Sequence, residues 1–483
     1  MSRLVVVSNR VGDVDNSTQT GGLAVAIADA LRTYGGLWFG CFESSEKSGC
    51  TLQTALGSNG VQYASTPVFS TEYQRYYAGY ANSVLWPLFH YRTDLIDYRE
   101  GDFRAYMSVN RQLANQLYPR LRADDIVWVH DYHLIPFARF LRRAGARNAR
   151  VGFFLHIPFP PPDLLAASPN HASIVDSLLD YDLIGFQTST DLSNFQRYLD
   201  EYAIAVVSAD GTIRSDQRTS RSGRFPISID VDSFTKMAEA APEDVRLEGM
   251  RRHILKRKQI IGVDRLDYSK GIPARFEAFE KLISGNPSLE KSVSLLQISP
   301  PTREGIKPYE EIRKTAEGMA SSINGRLADF NWTPIRYIHR TVARDKLAAI
   351  LRHSDVGLVT PLRDGMNLVA KEYVAAQDSD HPGVLILSQF AGAAEELTEA
   401  LIVNPHDTDE MARCLLQALT MPLQERRTRH HLLLQRIRSS NVQNWANNFL
   451  TVLLTDARSD DVSIPSTEMR QAHQALLPSE FSN

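Results

Sequence analysis

The stretch Val151-Gly152-Phe153-Phe154-Leu155-His156-Ile157-Pro158-Phe159-Pro160-Pro161-Pro162 changes character at a single residue. Val151 to Leu155 is apolar without a break, too short for a helix and right for a strand buried on both faces. His156 stands where the run stops, and the prolines behind it hold the chain extended. The same event recurs along the chain. Apolar runs end in polar loops at Leu4 to Val7, Ile126 to Val129, Leu183 to Phe186, Gln259 to Val263, Ser294 to Ile298, Val356 to Val359, Val384 to Leu387 and Leu401 to Val403. Helical periods such as Leu23, Ile27, Leu31 and Tyr34 lie between them. Continuous apolar strands alternating with helices predict an α/β fold of doubly wound parallel sheets, covered on both faces.

A chain of 483 residues is too long for one ordinary domain. A seam is expected at Phe225-Pro226-Ile227-Ser228-Ile229-Asp230. Before it, Ser208 to Gly223 is polar with no apolar period; after it the strand-helix alternation restarts. This divides the chain into a first Rossmann-like domain over 1–230, a second over 231–455, and a docking helix and tail over 456–483. Two such halves place ligand sites at the carboxyl ends of their strands, facing each other across a cleft.

Composition narrows the function. The chain is 43% hydrophobic and 23% charged with a formal net charge of −3, which suits a globular protein and gives no reason to expect a nucleic-acid partner. No apolar run reaches the roughly 18 residues of a membrane span, so no membrane partner is expected. The apolar start meets Asn9 and Arg10 too soon to form a signal-peptide core, and a cytoplasmic location is expected. Cys41, Cys50 and Cys414 form no CxxC pair, which argues against a disulfide frame or a zinc site.

The polar residues after the strands carry the chemistry. Ser8-Asn9-Arg10 follows the first strand, and Gly21-Gly22 opens a helix; paired glycines there suit either a phosphate or a tight turn. His130-Asp131-Tyr132-His133 holds three potential metal ligands, but groups so close in sequence rarely converge on one ion without a fourth. Asp131 can instead accept bonds from two vicinal sugar hydroxyls, or simply cap a turn beside a packed tyrosine. In the second half, Arg265 and Lys270 of Asp264-Arg265-Leu266-Asp267-Tyr268-Ser269-Lys270-Gly271 can reach a diphosphate, and Gly271 allows close backbone approach. The order Lys-Gly departs from a Walker A loop. Arg303 is a further cation after a strand. In Thr360-Pro361-Leu362-Arg363-Asp364-Gly365-Met366-Asn367-Leu368-Val369-Ala370-Lys371-Glu372, Asp364 suits sugar hydroxyls. The helix beginning near Asn367 would aim its positive end at a diphosphate, and Glu372 could bind a ribose. Each of these also admits a capping or ion-pair role.

Taken together, these stretches resemble the retaining trehalose-6-phosphate synthases, a family of GT-B fold. The likeness rests on Val7-Ser8-Asn9-Arg10, Gly21 to Val25, Leu85-Trp86-Pro87, His130 to His133, Phe154 to Pro160, Arg265 to Gly271, Ser354 to Gln377 and Ser388 to Ala393, in order over roughly residues 3 to 455. It implies transfer of glucose from UDP-glucose to glucose 6-phosphate, giving α,α-trehalose 6-phosphate and UDP, with no cofactor and no metal. It also implies that Gly22, Arg265 and Lys270 hold the diphosphate, with Leu368 and Val369 N–H groups. His156, Asp364, Gly365, Met366 and Asn367 would bind the transferred glucose, and Glu372 the ribose. Arg10, Tyr77, Trp86 and Arg303 would surround the acceptor phosphate, with Asp131 against the acceptor sugar. His156, Asp131, Arg265 and Lys270 are the expected catalytic residues. The expected assembly is a homo-oligomer, dimer or tetramer.

Two positions depart from the family pattern. Gly40-Cys41-Phe42-Glu43 stands where the family has Gly-Trp-Pro/Ser-Gly beside the acceptor, and Ser228 stands where it has glycine. Either Phe42 turns inward to fill the space of the missing indole or the acceptor pocket is wider there; the first is expected. With no carboxylate placed as a nucleophile, the resemblance favours front-face attack, in which a donor phosphate oxygen takes the acceptor proton. A sister enzyme using glycerol 3-phosphate or a cyclitol phosphate is the nearest alternative. A sensor that binds without turnover is another. A dehydrogenase is disfavoured, since no Gly-x-Gly-x-x-Gly turn follows the first strand.

Overall fold

All four side chains of β1 (Leu4–Val7) are buried, as a strand covered on both faces requires. In the computed structural model, which describes residues 3–12, 27–45 except 29 and 33, 52–57, 60–215, 218–240, 257–303 and 305–455, β1 lies inside a ten-stranded sheet. Its other strands are β2 (Leu37–Ser44), β3 (Gln53–Leu56), β4 (Gln62–Phe69), β5 (Ile126–His130), β6 (Arg150–Phe154), β7 (Leu183–Phe186), β8 (Val206–Val207), β9 (Thr212–Arg214) and β10 (Thr219–Arg224). The order is β3-β4-β2-β1-β5-β6-β7-β10-β9-β8. From β4 to β10 every neighbour pair is parallel; β3, β9 and β8 add antiparallel edges. Strand order reverses between β1 and β5, so the loops after these two strands flank the switch point.

The second sheet contains β11 (Lys258–Val263), β12 (Val293–Ile298), β13 (Ile335–Ile338), β14 (Val356–Val359), β15 (Val384–Ser388) and β16 (Leu401–Val403), all parallel. Its order, β13-β12-β11-β14-β15-β16, is that of a dinucleotide-binding sheet, with the switch point between β11 and β14. Ile260, Leu295, Leu358 and Ile386 from the strands join Phe276, Phe279, Leu282 and Leu415 from the helices in one core. Among the described residues, no helix is long and apolar enough to cross a membrane.

Among the described residues, 227–442 form one compact unit, and those before 227 together with 443–455 form the other. The sequence reading left 443–455 in the second domain. The helix Val442–Leu454 instead joins the first unit: Trp445 and Phe449 lie 4.8 Å from the Trp128 ring, and Phe449 also packs on Phe154 and Phe225. Apolar burial drives this, because Gly152 of β6 and Gly185 of β7 leave room there. A Cβ at either would lie 2.7 or 2.8 Å from the Phe449 ring. The polar stretch Ser208 to Gly223, read as a featureless approach to the seam, contains β9 and most of β10. In β10, Ser220 and Ser222 take the buried places where apolar residues would have signalled a strand. The expected docking helix and tail at 456–483, and Leu23, lie outside the described residues.

Candidate active site

In the first unit the loops after β1 and β5 meet a helix with an unusual winding. Residues Arg75–Leu85 form a π-helix, a geometry that seldom extends past one turn and favours functional sites. Its wider turns are held by side chains: Asn82 Nδ2 donates to Tyr77 O (2.7 Å) and Ser83 Oγ to Ala78 O (2.8 Å). Tyr73, Tyr77 and His133 stack in a column, with centroid spacings of 5.4 and 5.5 Å. Arg10 is exposed beside it, its guanidinium 5.2 Å from the Tyr77 centroid and its Nε donating to Tyr73 Oη at 3.2 Å. An exposed cation fixed on aromatic faces suits a phosphate.

Cys41 and Phe42 settle the departure on β2. Successive strand residues point to opposite faces, so Phe42 lies on the far side from Cys41 and does not fill its space. Cys41 is buried, with Sγ donating to Asn9 O at 3.1 Å, and Tyr76 Oη donates to Asn9 Oδ1 at 2.9 Å. Burial pushes the Cys41 thiol up to about 12. Glu43 shares the face of Cys41 and accepts from Gln74 (2.9 Å) and Ser70. Those two bonds, helped by Arg10, hold its carboxyl below the usual range.

Asp131 has φ 77° and ψ 164°, a backbone shape that disfavours any residue with a Cβ. The shape is fixed by Asp131 N–H donating to Phe154 O (2.8 Å) and Leu134 N–H to Asp131 O (3.0 Å). It lets Oδ1 accept from the backbone N–H of His156 at 3.3 Å, so the two sequence-predicted residues meet. The His156 ring touches His130, Nε2 to Nδ1 at 3.0 Å. Burial drives the His156 imidazole down to about 3 and keeps it neutral. Trp86 is buried against His90 and Tyr132, ring centroids 4.0 and 5.6 Å away, and so stands behind the Asp131 loop.

In the second unit the loops after β11 and β14 converge at the switch point. Lys270 Nζ lies 2.6 Å from Asp364 Oδ2, which also accepts from Asn367 Nδ2 at 3.0 Å. Asn367 takes φ 72° and ψ 86° before the helix Leu368–Ala376, so the first-turn N–H groups of Leu368 and Val369 follow this cluster directly. Gly365 and Met366 are buried between them. Gly271 has φ +67°, and a Cβ there would lie 2.6 Å from Thr360 O; only glycine brings the two loops so close. Arg265 is exposed at the end of β11. Glu372 is partly buried, 3.6 Å from Arg344, and burial pushes its carboxyl up against the pull of that arginine. Arg303 turns inward, with Nη1 2.8 Å from Asp267 Oδ2 and 2.5 Å from Tyr309 Oη. Gly22 lies outside the described residues.

The sequence reading missed the residue that assembles these loops. Arg275, fully buried in the helix Ile272–Gly285, pairs with Asp264 (2.5 Å) and donates to Thr360 Oγ1 (2.9 Å) and Lys270 O (2.9 Å). It thereby ties the β11 loop to the β14 loop. An arginine inside an amphipathic helix ordinarily reads as surface, and no local pattern marks this one. Among the described residues, no group of three or more histidines, cysteines or carboxylates could hold a metal ion.

Two doubly wound units, the second with a cation, a carboxylate and a helix N-terminus at its switch point, make up a glycosyltransferase of GT-B build. The chain matches the glycosyltransferase family 20 model over residues 4–455 and belongs to that family. The trehalose-6-phosphate synthase of Klebsiella pneumoniae subsp. pneumoniae is 46% identical over 458 residues, covering 93% of this chain and 94% of its own. That of Salmonella arizonae is 44% identical over 484 residues, covering 98% of each. Among solved structures, an alpha,alpha-trehalose-phosphate synthase (UDP-forming) from Burkholderia xenovorans in complex with glucose-6-phosphate matches with a TM-score of 0.90 at 47% identity, covering 94% of this chain and 100% of that one. A trehalose-6-phosphate structure from E. coli bound with UDP-2-fluoro glucose matches with a TM-score of 0.89 at 44% identity, covering 94% and 99%.

Proposed function

We propose that this chain transfers glucose from UDP-glucose to glucose 6-phosphate with retention, releasing α,α-trehalose 6-phosphate and UDP. The observation that carries the reading is the Lys270–Asp364–Asn367 cluster at the start of the helix Leu368–Ala376, on the switch point of the second sheet. Arg265, Lys270 and the N–H groups of Leu368 and Val369 stabilise the charge that grows on the departing diphosphate. His156, Asp364, Gly365, Met366 and Asn367 hold the glucose, and Glu372 the ribose. Arg10 on its tyrosine platform takes the acceptor phosphate, Asp131 the acceptor hydroxyls, and Trp86 acts by backing Tyr132. Arg303, whose Nη1 is held by Asp267, offers its remaining N–H groups to that phosphate. A donor phosphate oxygen accepts the proton of the attacking hydroxyl, so no protein base is needed on that face. The protein works as a homo-oligomer, dimer or tetramer, in the cytoplasm.

Mass analysis of the products from UDP-glucose and glucose 6-phosphate tests the reading; trehalose 6-phosphate and UDP should form in equal amounts. Glycerol 3-phosphate and a cyclitol phosphate are the comparison acceptors, because Cys41 and Glu43 alter the acceptor side. A faster reaction with either would reassign the acceptor. Mass in solution tests the assembly.

A further inference from the structure

Three side chains of the helix Ser70–Gln74 hold two opposite charges in place. Tyr73 Oη accepts from Arg10 Nε at 3.2 Å. Gln74 Nε2 donates to Glu43 Oε1 at 2.9 Å, and Ser70 Oγ donates to the same oxygen. Residues 70, 73 and 74 share one face of a helix, which brings the guanidinium and the carboxylate near each other. Arg10 helps to draw the Glu43 carboxyl below its usual range. Even so, neither group is in an ion pair with any described residue. Both side chains belong to exposed residues. Arg10 Nη1 and Nη2, and Glu43 Oε2, are bonded to none of the described residues. A carboxylate with two bonds to one oxygen and none to the other is fixed in place and half unused. Cys41, two residues earlier on the same face of β2, gives its thiol proton to Asn9 O and competes for neither charge.

We infer that Glu43 determines acceptor specificity, its Oε2 accepting a hydrogen bond from a hydroxyl of the same small molecule whose phosphate lies on Arg10. The class recognised is a sugar or polyol phosphate that is neutral apart from its phosphate, since a carboxylate attracts a hydroxyl proton and repels a second anion. The phosphate on Arg10 rests on the proposed function; the unused oxygen beside it does not. Glycine stands at this place in the family pattern, so the contact is a feature of this chain.

Glu43→Gln separates recognition from structure. Its amide oxygen can keep the bonds from Ser70 and Gln74, and only the unused oxygen becomes a donor. The KM for glucose 6-phosphate should rise roughly three- to thirtyfold, with kcat and the UDP-glucose KM within about twofold of native. Glu43→Gly should raise it at least as far. With 2-, 3- and 4-deoxyglucose 6-phosphate as acceptors, the one that lacks the hydroxyl concerned should no longer distinguish native from Glu43→Gln. A carboxylate that merely shielded Arg10 would act with the opposite sign, because its removal would strengthen phosphate binding. A glucose 6-phosphate KM that falls or stays within about twofold in Glu43→Gln therefore overturns the inference, as does an equal rise with every acceptor. No turnover of glucose 6-phosphate by the native enzyme would overturn the assigned reaction and this role together. Native turnover with an unmoved KM in Glu43→Gln would overturn this role alone.

Discussion

Lys270 and Asp364 neutralise each other across 2.6 Å, one from the loop after β11 and the other from the loop after β14. On the proposed function, a diphosphate entering this corner would compete with a carboxylate for the ammonium group, so that Lys270 would be held in place before the donor arrives, its charge matched until then.

Removing that cation should be felt in the chemical step. Lys270→Ala, and likewise Arg265→Ala, should lower turnover about 10²–10³-fold, because each removes a charge-assisted bond to the leaving diphosphate. The acceptor KM should move far less. Steady-state kinetics check this, and near-normal turnover in either variant would move the donor out of these loops.

Arg275 offers a test of stability. It is buried with Asp264 at 2.5 Å, so Arg275→Met strands a carboxylate in the core and should cost about 3–5 kcal/mol. Combining it with Asp264→Asn should recover part of that loss. Denaturant unfolding of the single and double variants measures the difference; additive losses would mean that the pair is not coupled.

Backbone strain at Asp131 predicts a trade of stability against activity. Its φ of 77° costs of order 1–3 kcal/mol in a residue with a Cβ, and glycine adopts it freely. Asp131→Gly should raise the unfolding midpoint, or leave it unchanged, while the acceptor KM rises at least about tenfold as the bonds to vicinal hydroxyls are lost. A variant that is both inactive and clearly less stable would show that no strain is stored there.

The neutral pair His130–His156 sets a pH dependence. Both imidazoles titrate below the roughly 6.5 of an unfolded histidine, His156 at about 3. The unfolded chain therefore binds protons that the folded chain refuses. The contribution to stability is fully present above pH ~6.5 and is lost as pH falls from there toward about 3, by up to about 1.4 kcal/mol per pH unit for each histidine. Unfolding free energies measured down this range should fall less steeply in His130→Asn. An equal slope would assign the acid sensitivity to other groups.

The buried strands announced themselves because strands covered on both faces are apolar without a break; Leu4–Val7, Leu183–Phe186 and Val356–Val359 have the bounds read from the residues alone. β4 (Gln62–Phe69) and β10 (Thr219–Arg224) gave no such signal, since the first mixes polar residues with Pro67 and the second is mostly serine, arginine and threonine. The candidate site was legible wherever it follows a strand, as at Asp131, His156 and Lys270. It was illegible where a side chain works from inside a helix, as Arg275 does. Phe42 failed for a simpler reason: the pleat of β2 fixes the face of each residue, and no packing need can turn one strand residue to the other side.

The return of the helix Val442–Leu454 to the first unit has a consequence for synthesis. A chain emerging from the ribosome completes the second unit's residues before it reaches Trp445 and Phe449. Until then Trp128 lacks the rings of Trp445 and Phe449, and the hollow over Gly152 and Gly185 stays open. The unit that begins first is thus finished last. A nascent chain stalled anywhere before residue 445 carries an incomplete first unit, however well the second has folded, and exposes apolar surface beside the His130–His156 pair.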